Sequence, residues 1–283
     1  MRRIWTAAIL TGATILFSGR SYANEEITVD LPGGATMEMV WIEPGTFTTG
    51  SPDAEKGRSP IEIPHQVTIS HGFYLGKYEL TQGQWTAVMG NSPWSGQTFV
   101  QENPNNPAVY IEARMAGIFA SKLNLATGDS LFRLPTEAEW EYACRAGTST
   151  AWSYGGDGGQ MTDYAWISDN ALNTGEGYGH QVGMKKPNPW GLYDMYGNVW
   201  EWVRDVYKDY SVATQTDPVI TGDGRPVKRG GGFESIATTA RSASRGYRVG
   251  PDVTIGMRLV KMGPAPTTAV TPQSWGQTKN ETR

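Results

Sequence analysis

The chain has 283 residues, 39% of them hydrophobic and 18% charged, and a net charge of −4. That balance predicts a folded core and excludes general disorder. With 24 Lys+Arg against 28 Asp+Glu and no basic stripe, it also excludes a nucleic-acid footprint, which needs clustered basic residues. The 35 Gly, 17 Pro and 11 Trp predict many turns pinned by large aromatic side chains, with few long regular elements.

At the start, Arg2 and Arg3 precede a mostly apolar run from Ile4 to Phe17, and Ser21-Tyr22-Ala23 has a small-x-small cleavage pattern. This reads as an export signal over residues 1–23, cleaved near Ala23 to leave a periplasmic or secreted chain. A membrane span needs about 20 apolar residues. The run is broken by Gly12 and ended by Arg20, so no transmembrane anchor is expected in the mature form, an uncleaved anchor being the alternative. The only cysteine, Cys144, excludes an internal disulfide framework and is expected as a small buried hydrophobe.

Residues 24–30 read as a linker, 31–263 as one domain and 264–283, rich in Pro, Thr, Gln and Asn, as a disordered tail. Met37 to Thr49 alternates around Pro44-Gly45, a strand–turn–strand pattern, and Gln66–Ser70 and Phe73–Leu75 read as further strand. Thr81 and Gln84 form a capping box that opens a helix, with Gly90 as its stop. A second helix is predicted over Glu112–Leu123, where Ala116, Phe119, Ala120 and Leu123 make one buried stripe. Thr136 and Glu139 form another capping box, which predicts a helix over Glu137–Ala143. From Trp152 to Asn188 the chain reads as a long irregular region, the kind of loop that carries function or binds ions, and short strands and loops follow to Lys261.

Several phrases, in order, resemble the sulfatase-modifying-factor family, whose founding members are the formylglycine-generating enzymes. They are Met39-Val40-Trp41-Ile42-Glu43-Pro44-Gly45-Thr46-Phe47, Tyr78-Glu79-Leu80-Thr81, and Arg133-Leu134-Pro135-Thr136-Glu137-Ala138-Glu139-Trp140-Glu141-Tyr142-Ala143. The most specific is Asn188-Pro189-Trp190-Gly191-Leu192-Tyr193-Asp194-Met195-Tyr196-Gly197-Asn198-Val199-Trp200-Glu201-Trp202. Arg229-Gly230-Gly231-Gly232-Phe233, Arg241-Ser242-Ala243 and Gly256-Met257-Arg258-Leu259 complete the set, from about Leu31 to Lys261. The resemblance implies an irregular α+β fold, low in regular structure and distantly related to C-type lectins.

Asp194 and Glu201, with Gly197-Asn198 between them, suit a looped oxygen cage of the kind calcium prefers; the same two carboxylates could instead hydrogen-bond loop backbone. The resemblance implies a structural calcium held by the Asp194 and Glu201 side chains and the carbonyls of Gly197 and Val199. A second family calcium site is not expected, because Trp166 stands where an Asn ligand belongs; Asp169, Asn170, Asn173 and Glu176 read as a solvated polar loop. The family's enzymes bind copper through two cysteines after a Gly-Gly-Ser segment. Here Ser235 takes the first position, the second has no equivalent, and Gly232 replaces the serine. A hydroxyl does not hold Cu(I) as a thiolate does, so no copper is expected and formylglycine cannot be made by the cysteine route.

No Ser-His-Asp set, phosphate loop or glycosidase carboxylate pair stands out. His65 and His71 could meet across a strand pair as half a metal site, but three widely spaced histidines, His180 included, read more simply as hydrogen-bonded or solvent-facing. Phe233, Glu234, Ser235, Thr238, Arg241, Arg245 and Tyr247 form a mixed polar and aromatic segment suited to a small-molecule, peptide or glycan ligand. Arg241 and Arg245 are equally readable as structural ion-pair partners. Two functions remain: a calcium-stabilised ligand-binding or accessory protein, and a cysteine-independent oxidoreductase. For the second, the resemblance offers the periplasmic pyoverdine-maturation branch, tied to oxidation of a siderophore precursor. A buried, perturbed Glu234 favours the enzyme; a shallow, open surface favours binding.

Overall fold

The computed structural model describes residues 25–128 and 131–266. The predicted signal segment with its cleavage site, and all but the first residues of the predicted tail, lie outside the described residues.

The strands in chain order are β1 (Glu26–Asp30), β2 (Thr36–Ile42), β3 (Gly45–Thr49), β4 (His65–Ile69) and β5 (Phe73–Gly76). Helices α1 (Gln82–Met89) and α2 (Ala113–Thr127), strand β6 (Phe132–Arg133) and helices α3 (Glu137–Arg145) and α4 (Met161–Tyr164) follow. The chain then returns to strands: β7 (Trp200–Val206), β8 (Gln215–Thr216), β9 (Pro226–Arg229), β10 (Arg245–Tyr247), β11 (Ile255–Met257) and β12 (Val260–Lys261). They build a five-stranded sheet β1-β2-β5-β12-β6, a four-stranded sheet β10-β9-β7-β11 and a three-stranded sheet β3-β4-β8. The architecture is α+β, and the segment from Trp152 to Asn188 carries only short helical turns and α4, as its composition predicts.

The five-stranded sheet separates two cores. Along β2, Met37, Met39 and Trp41 enter one hydrophobic cluster, while Val40 and Ile42 enter the other, the period-two alternation of a strand covered on both faces. On the first side lie α1 and α2, where Trp85 stacks on Phe119 with ring centres 5.4 Å apart. The second side holds Trp140 and Cys144 of α3 with Tyr196 and Val227. Each such large apolar side chain contributes about 1.5–3 kcal/mol by leaving water.

Both capping boxes form: Thr81 and Thr136 accept from the backbone of Gln84 and Glu139, whose side chains reach back to the cap N–H groups. Gly90 ends α1 in the left-handed region, as predicted. The second helix runs four residues past its predicted end, to Thr127, because Gly128 rather than Leu123 supplies the left-handed cap. Residues 24–30, predicted as a linker, are corrected: Glu26–Asp30 is an edge strand paired antiparallel with β2, with Ile27 and Val29 packed against the first core. The strand is short and polar on its other face, which is why it reads as linker.

Candidate functional site

The segment from Asp194 to Glu201 turns sharply before it enters β7. Asp194, Gly197 and Asn198 have φ of 55°, 69° and 54°. Only glycine fits at 197, since a Cβ there would overlap the carbonyl oxygen of Trp166. The turn sends both carboxylates inward, where Asp194 and Glu201 are buried. Glu201 is fully engaged: Arg258 reaches it through Nε at 2.7 Å and Nη2 at 2.6 Å, and the Trp140 indole donates at 2.7 Å. Asp194 accepts from the Gly183 N–H at 2.7 Å through Oδ2, while its Oδ1 is buried with no partner.

A third carboxylate, Glu79, completes the cluster. It accepts from the Val199 N–H at 3.0 Å and from the Asn198 side-chain amide at 2.6 Å. Burial, then the negative charges of Asp194 and Glu201, push the Glu79 carboxyl well above the usual range. Burial likewise raises Asp194 to about 6. Three carboxylates thus share the Arg258 guanidinium, and the excess negative charge fits a cation beside Asp194 Oδ1. It does not fit one on Glu201, whose two oxygens already hold Arg258 and Trp140. Among the described residues no three His, Cys, Asp or Glu side chains converge as a metal cage.

The second feature lies where β7, β9 and β10 meet the turn after Arg229. Trp200 opens β7, and its indole Nε1 donates to Glu234 Oε1 at 2.9 Å. Glu234 Oε2 is buried and unpartnered, and burial raises the carboxyl above its ordinary range. The Lys228 ammonium lies 4.1 Å from the Trp200 ring centre, and burial lowers its pKa. A Cβ on Gly232 would overlap Glu234 Oε2, so the absence of a side chain at 232 is what makes room for this carboxyl. Ser235 turns away from the surface: its hydroxyl accepts from the Gly232 N–H at 3.0 Å and its own N–H returns to the Gly232 carbonyl at 2.9 Å. The buried Phe233 donates its N–H to the Asn198 carbonyl at 2.7 Å, which ties this turn to the acidic cluster.

The predicted ligand segment therefore divides. Phe233, Glu234 and Ser235 build the turn beside Trp200, whereas Thr238 lines a separate cavity of about 640 Å³ with Trp152 and Asp157. Arg241 and Arg245 are corrected from ligand contacts to structural partners. Arg241 is saturated by Glu62 at 2.8 and 2.9 Å, by Glu55 at 2.5 Å and by the Gly57 and Thr238 carbonyls. Arg245 holds both oxygens of Glu137 at 2.8 and 2.7 Å. Tyr247 is exposed on β10, edge-on to Tyr207.

The histidines take separate surroundings. His65 is buried and bonds the Ile63 carbonyl, exposed His71 bonds Ser70, and His180 stacks on Trp166 and bonds Glu176 at 3.0 Å. Trp166 also carries the Lys185 ammonium 3.8 Å from its ring centre, and Asn170 bonds the surrounding loop backbone. Cys144 is buried, and burial raises its thiol to about 11, so it is no nucleophile at neutral pH. Glu79, Trp200 and Lys228 were not singled out from sequence; the first two stand inside the quoted phrases, and Lys228 immediately precedes Arg229-Gly230-Gly231.

The description "Sulfatase-modifying factor enzyme 1-like domain" matches residues 28–262. The chain belongs to this family. With a single cysteine, it is a sulfatase-modifying-factor member without the cysteine pair. It is 28% identical to the formylglycine-generating enzyme of Mus musculus over 76% of this chain and 72% of that one. Two solved structures share the sulfatase-modifying-factor fold with it. Treponema denticola variable protein 1 has a TM-score of 0.74 at 26% identity, covering 83% of this chain and 98% of that one. PvdO from Pseudomonas aeruginosa has a TM-score of 0.74 at 28% identity, covering 83% and 97%.

Proposed function

We propose that this chain is an exported family member that binds a small-molecule or peptide ligand on the Trp200–Lys228–Glu234 surface and exchanges a proton with it through Glu234. The observation that carries this is the buried, unpartnered Glu234 Oε2, on a carboxyl whose pKa burial raises above its ordinary value. An unpaired buried polar atom is costly unless something completes it, and here a ligand donor or acceptor does so. Trp200, itself buried, holds Glu234 Oε1 through its indole N–H, and Lys228, a cation whose pKa burial lowers, lies over its ring. Formylglycine chemistry is not part of this function, because Ser235 offers a hydroxyl and commits it to the Gly232 backbone.

A second reading keeps the surface and makes the chain an oxidoreductase acting on a secreted metabolite such as a siderophore, with a dissolved two-electron oxidant such as dioxygen accepting the electrons. It is favoured by the similarity to PvdO over 97% of that chain and by the buried Glu234 carboxyl with its raised pKa, the feature expected of the enzyme. A structural calcium would be held by Asp194 Oδ1 with the Gly197 and Val199 carbonyls, and it would supply charge compensation for Glu79 and Asp194. The export reading rests on the Arg2-Arg3 and Ile4–Phe17 signal pattern and the Ser21-Tyr22-Ala23 cleavage pattern.

The test reads the Trp200 indole N–H by 1H–15N correlation spectra from pH 3 to 9, in the mature wild-type chain and in Glu234→Gln. A midpoint above the ordinary glutamate range, absent in Glu234→Gln, is the expected result. A midpoint at or below that range removes the proton-exchanging role.

A further inference from the structure

Away from Trp200, the sheet β3-β4-β8, the start of α3 and the end of β7 enclose a cavity of about 280 Å³. Val67, Ala138, Ile220 and the ring of Tyr210 give it apolar walls, and His65, Asp205, Glu137 and the exposed Lys208 and Asp209 add polar and charged groups. Asp205 is only 4% exposed. Its Oδ2 accepts from the Glu137 N–H and its Oδ1 from the Ile220 N–H, each at 2.8 Å. Both partners are neutral backbone donors, so each oxygen keeps a lone pair and neither bond joins the carboxylate to a Lys or Arg side chain. Arg245, whose positive charge reaches Asp205, commits Nε and Nη2 to Glu137 and Nη1 to the Lys208 carbonyl.

A buried carboxylate with no cation in direct contact is costly, and a cation that bonds it lowers that cost. Burial and then the neighbouring Glu137 charge raise Asp205 to about 6, so it is ionised at pH 8. The cavity lies just below the span of about 300–1,000 Å³ usual for small-molecule sites, which limits its occupant to a small ligand. A compact aliphatic body suits the walls, and one ammonium group suits the acidic end.

We infer that this cavity is a binding site for a small alkylammonium ion, its nitrogen on Asp205 and its alkyl part against Val67, Ala138 and Ile220. The site shares no residue with the Trp200–Lys228–Glu234 surface, so it stands or falls independently of the function proposed there. Asp209 and Ser211, both exposed, lie at its mouth and give the ligand a route in.

The experiment is ligand-observed NMR at pH 8 on the mature chain with n-butylammonium chloride, with n-butanol as the uncharged match. Two variants accompany the wild type: Asp205→Asn, which removes the charge, and Ser211→Trp, which blocks the mouth from an exposed position and leaves the Asp205 bonds in place. Saturable n-butylammonium binding, at least tenfold weaker for n-butanol and at least tenfold weaker in each folded variant, is the expected result. If Asp205→Asn does not fold, Ser211→Trp alone decides. Equal binding of n-butanol, undiminished binding in Ser211→Trp, or no saturation by roughly 50 mM overturns the site.

Discussion

Two buried charged regions of this molecule are built to opposite rules. Around Glu141, one carboxylate receives Arg145 at 2.7 and 2.9 Å, Arg229 in a short contact, the Thr49 hydroxyl at 2.8 Å and the Gly50 N–H at 2.9 Å. Around Arg258, one guanidinium faces Glu201, Asp194 and Glu79. The consequences run in opposite directions. Burial pushes the Glu141 carboxyl up, but Arg145 and Arg229 more than offset it and hold it below the usual range. Glu79 and Asp194 stay raised. The first region is closed and can only hold the fold together, whereas the second has capacity left for a proton or a cation. The buried charges with room for a ligand are those the protein leaves uncompensated.

The largest effect that would break this contrast is at Arg229. Arg229→Met leaves Glu141 facing Arg145 alone in a fully buried site, and removes the bonds to the Ser242, Ala243 and Ser244 carbonyls. Breaking one partner of a buried ion pair costs about 3–5 kcal/mol, which urea unfolding should register as a lower midpoint at unchanged slope. Adding Glu141→Leu should not recover that loss, since it strips the buried Arg145 of the carboxylate it pairs with at 2.7 Å. A single variant as stable as wild type would mean the Glu141 region is not closed by its ion pairs.

The next effect concerns the open region and its pH dependence. Asp194 has a folded pKa of about 6 against an ordinary 3.8, so the folded chain binds the proton more tightly than the unfolded one. Its contribution to stability is therefore full below 3.8 and is lost as pH rises through 6, by up to about 3 kcal/mol. Glu141 acts with the opposite sign, its contribution being lost as pH falls. In metal-free buffer at pH 8, Asp194→Asn should thus melt higher than wild type. Adding calcium should raise the wild type by about 2.7 kcal/mol at a hundred times its dissociation constant, and should leave Asp194→Asn nearly unmoved. A calcium response retained in Asp194→Asn would show that the ion, if bound, sits elsewhere.

The difference between the regions also explains what the sequence disclosed. Both capping boxes and the Ala116–Phe119–Ala120–Leu123 stripe rest on bonds and contacts three or four residues apart, so they were legible. Asp194 and Glu201 were legible as carboxylates but not as unequal ones. What distinguishes them is Arg258, 57 residues beyond Glu201, and Glu79, whose contact with Asn198 spans 119 residues. The same holds for Arg241 and Arg245, whose ion-pair partners lie 179 and 108 residues away. Strand β1 escaped for a different reason: five residues alternating at a sheet edge carry too little apolar signal to stand out from a linker.

The smallest expected effect is also the one that most directly sharpens the reading of Glu234. At Gly232 a serine would place its Cβ where Glu234 Oε2 now lies and within 3.2 Å of Trp200 Cδ1. The obstructing atom is the end of a flexible side chain, so Gly232→Ser should move Glu234 rather than the backbone and cost only about 1 kcal/mol. Glu234 would leave its buried seat and the Trp200 indole would lose its acceptor, returning the carboxyl to solvent and to its ordinary range. In 1H–15N spectra the Trp200 indole signal should then lose its pH response while the other tryptophan indoles keep theirs. If the Trp200 response instead persisted with an unchanged midpoint, the vacancy at 232 would not be what holds the carboxyl in place. Its raised pKa would then need another source than the seat beside Trp200.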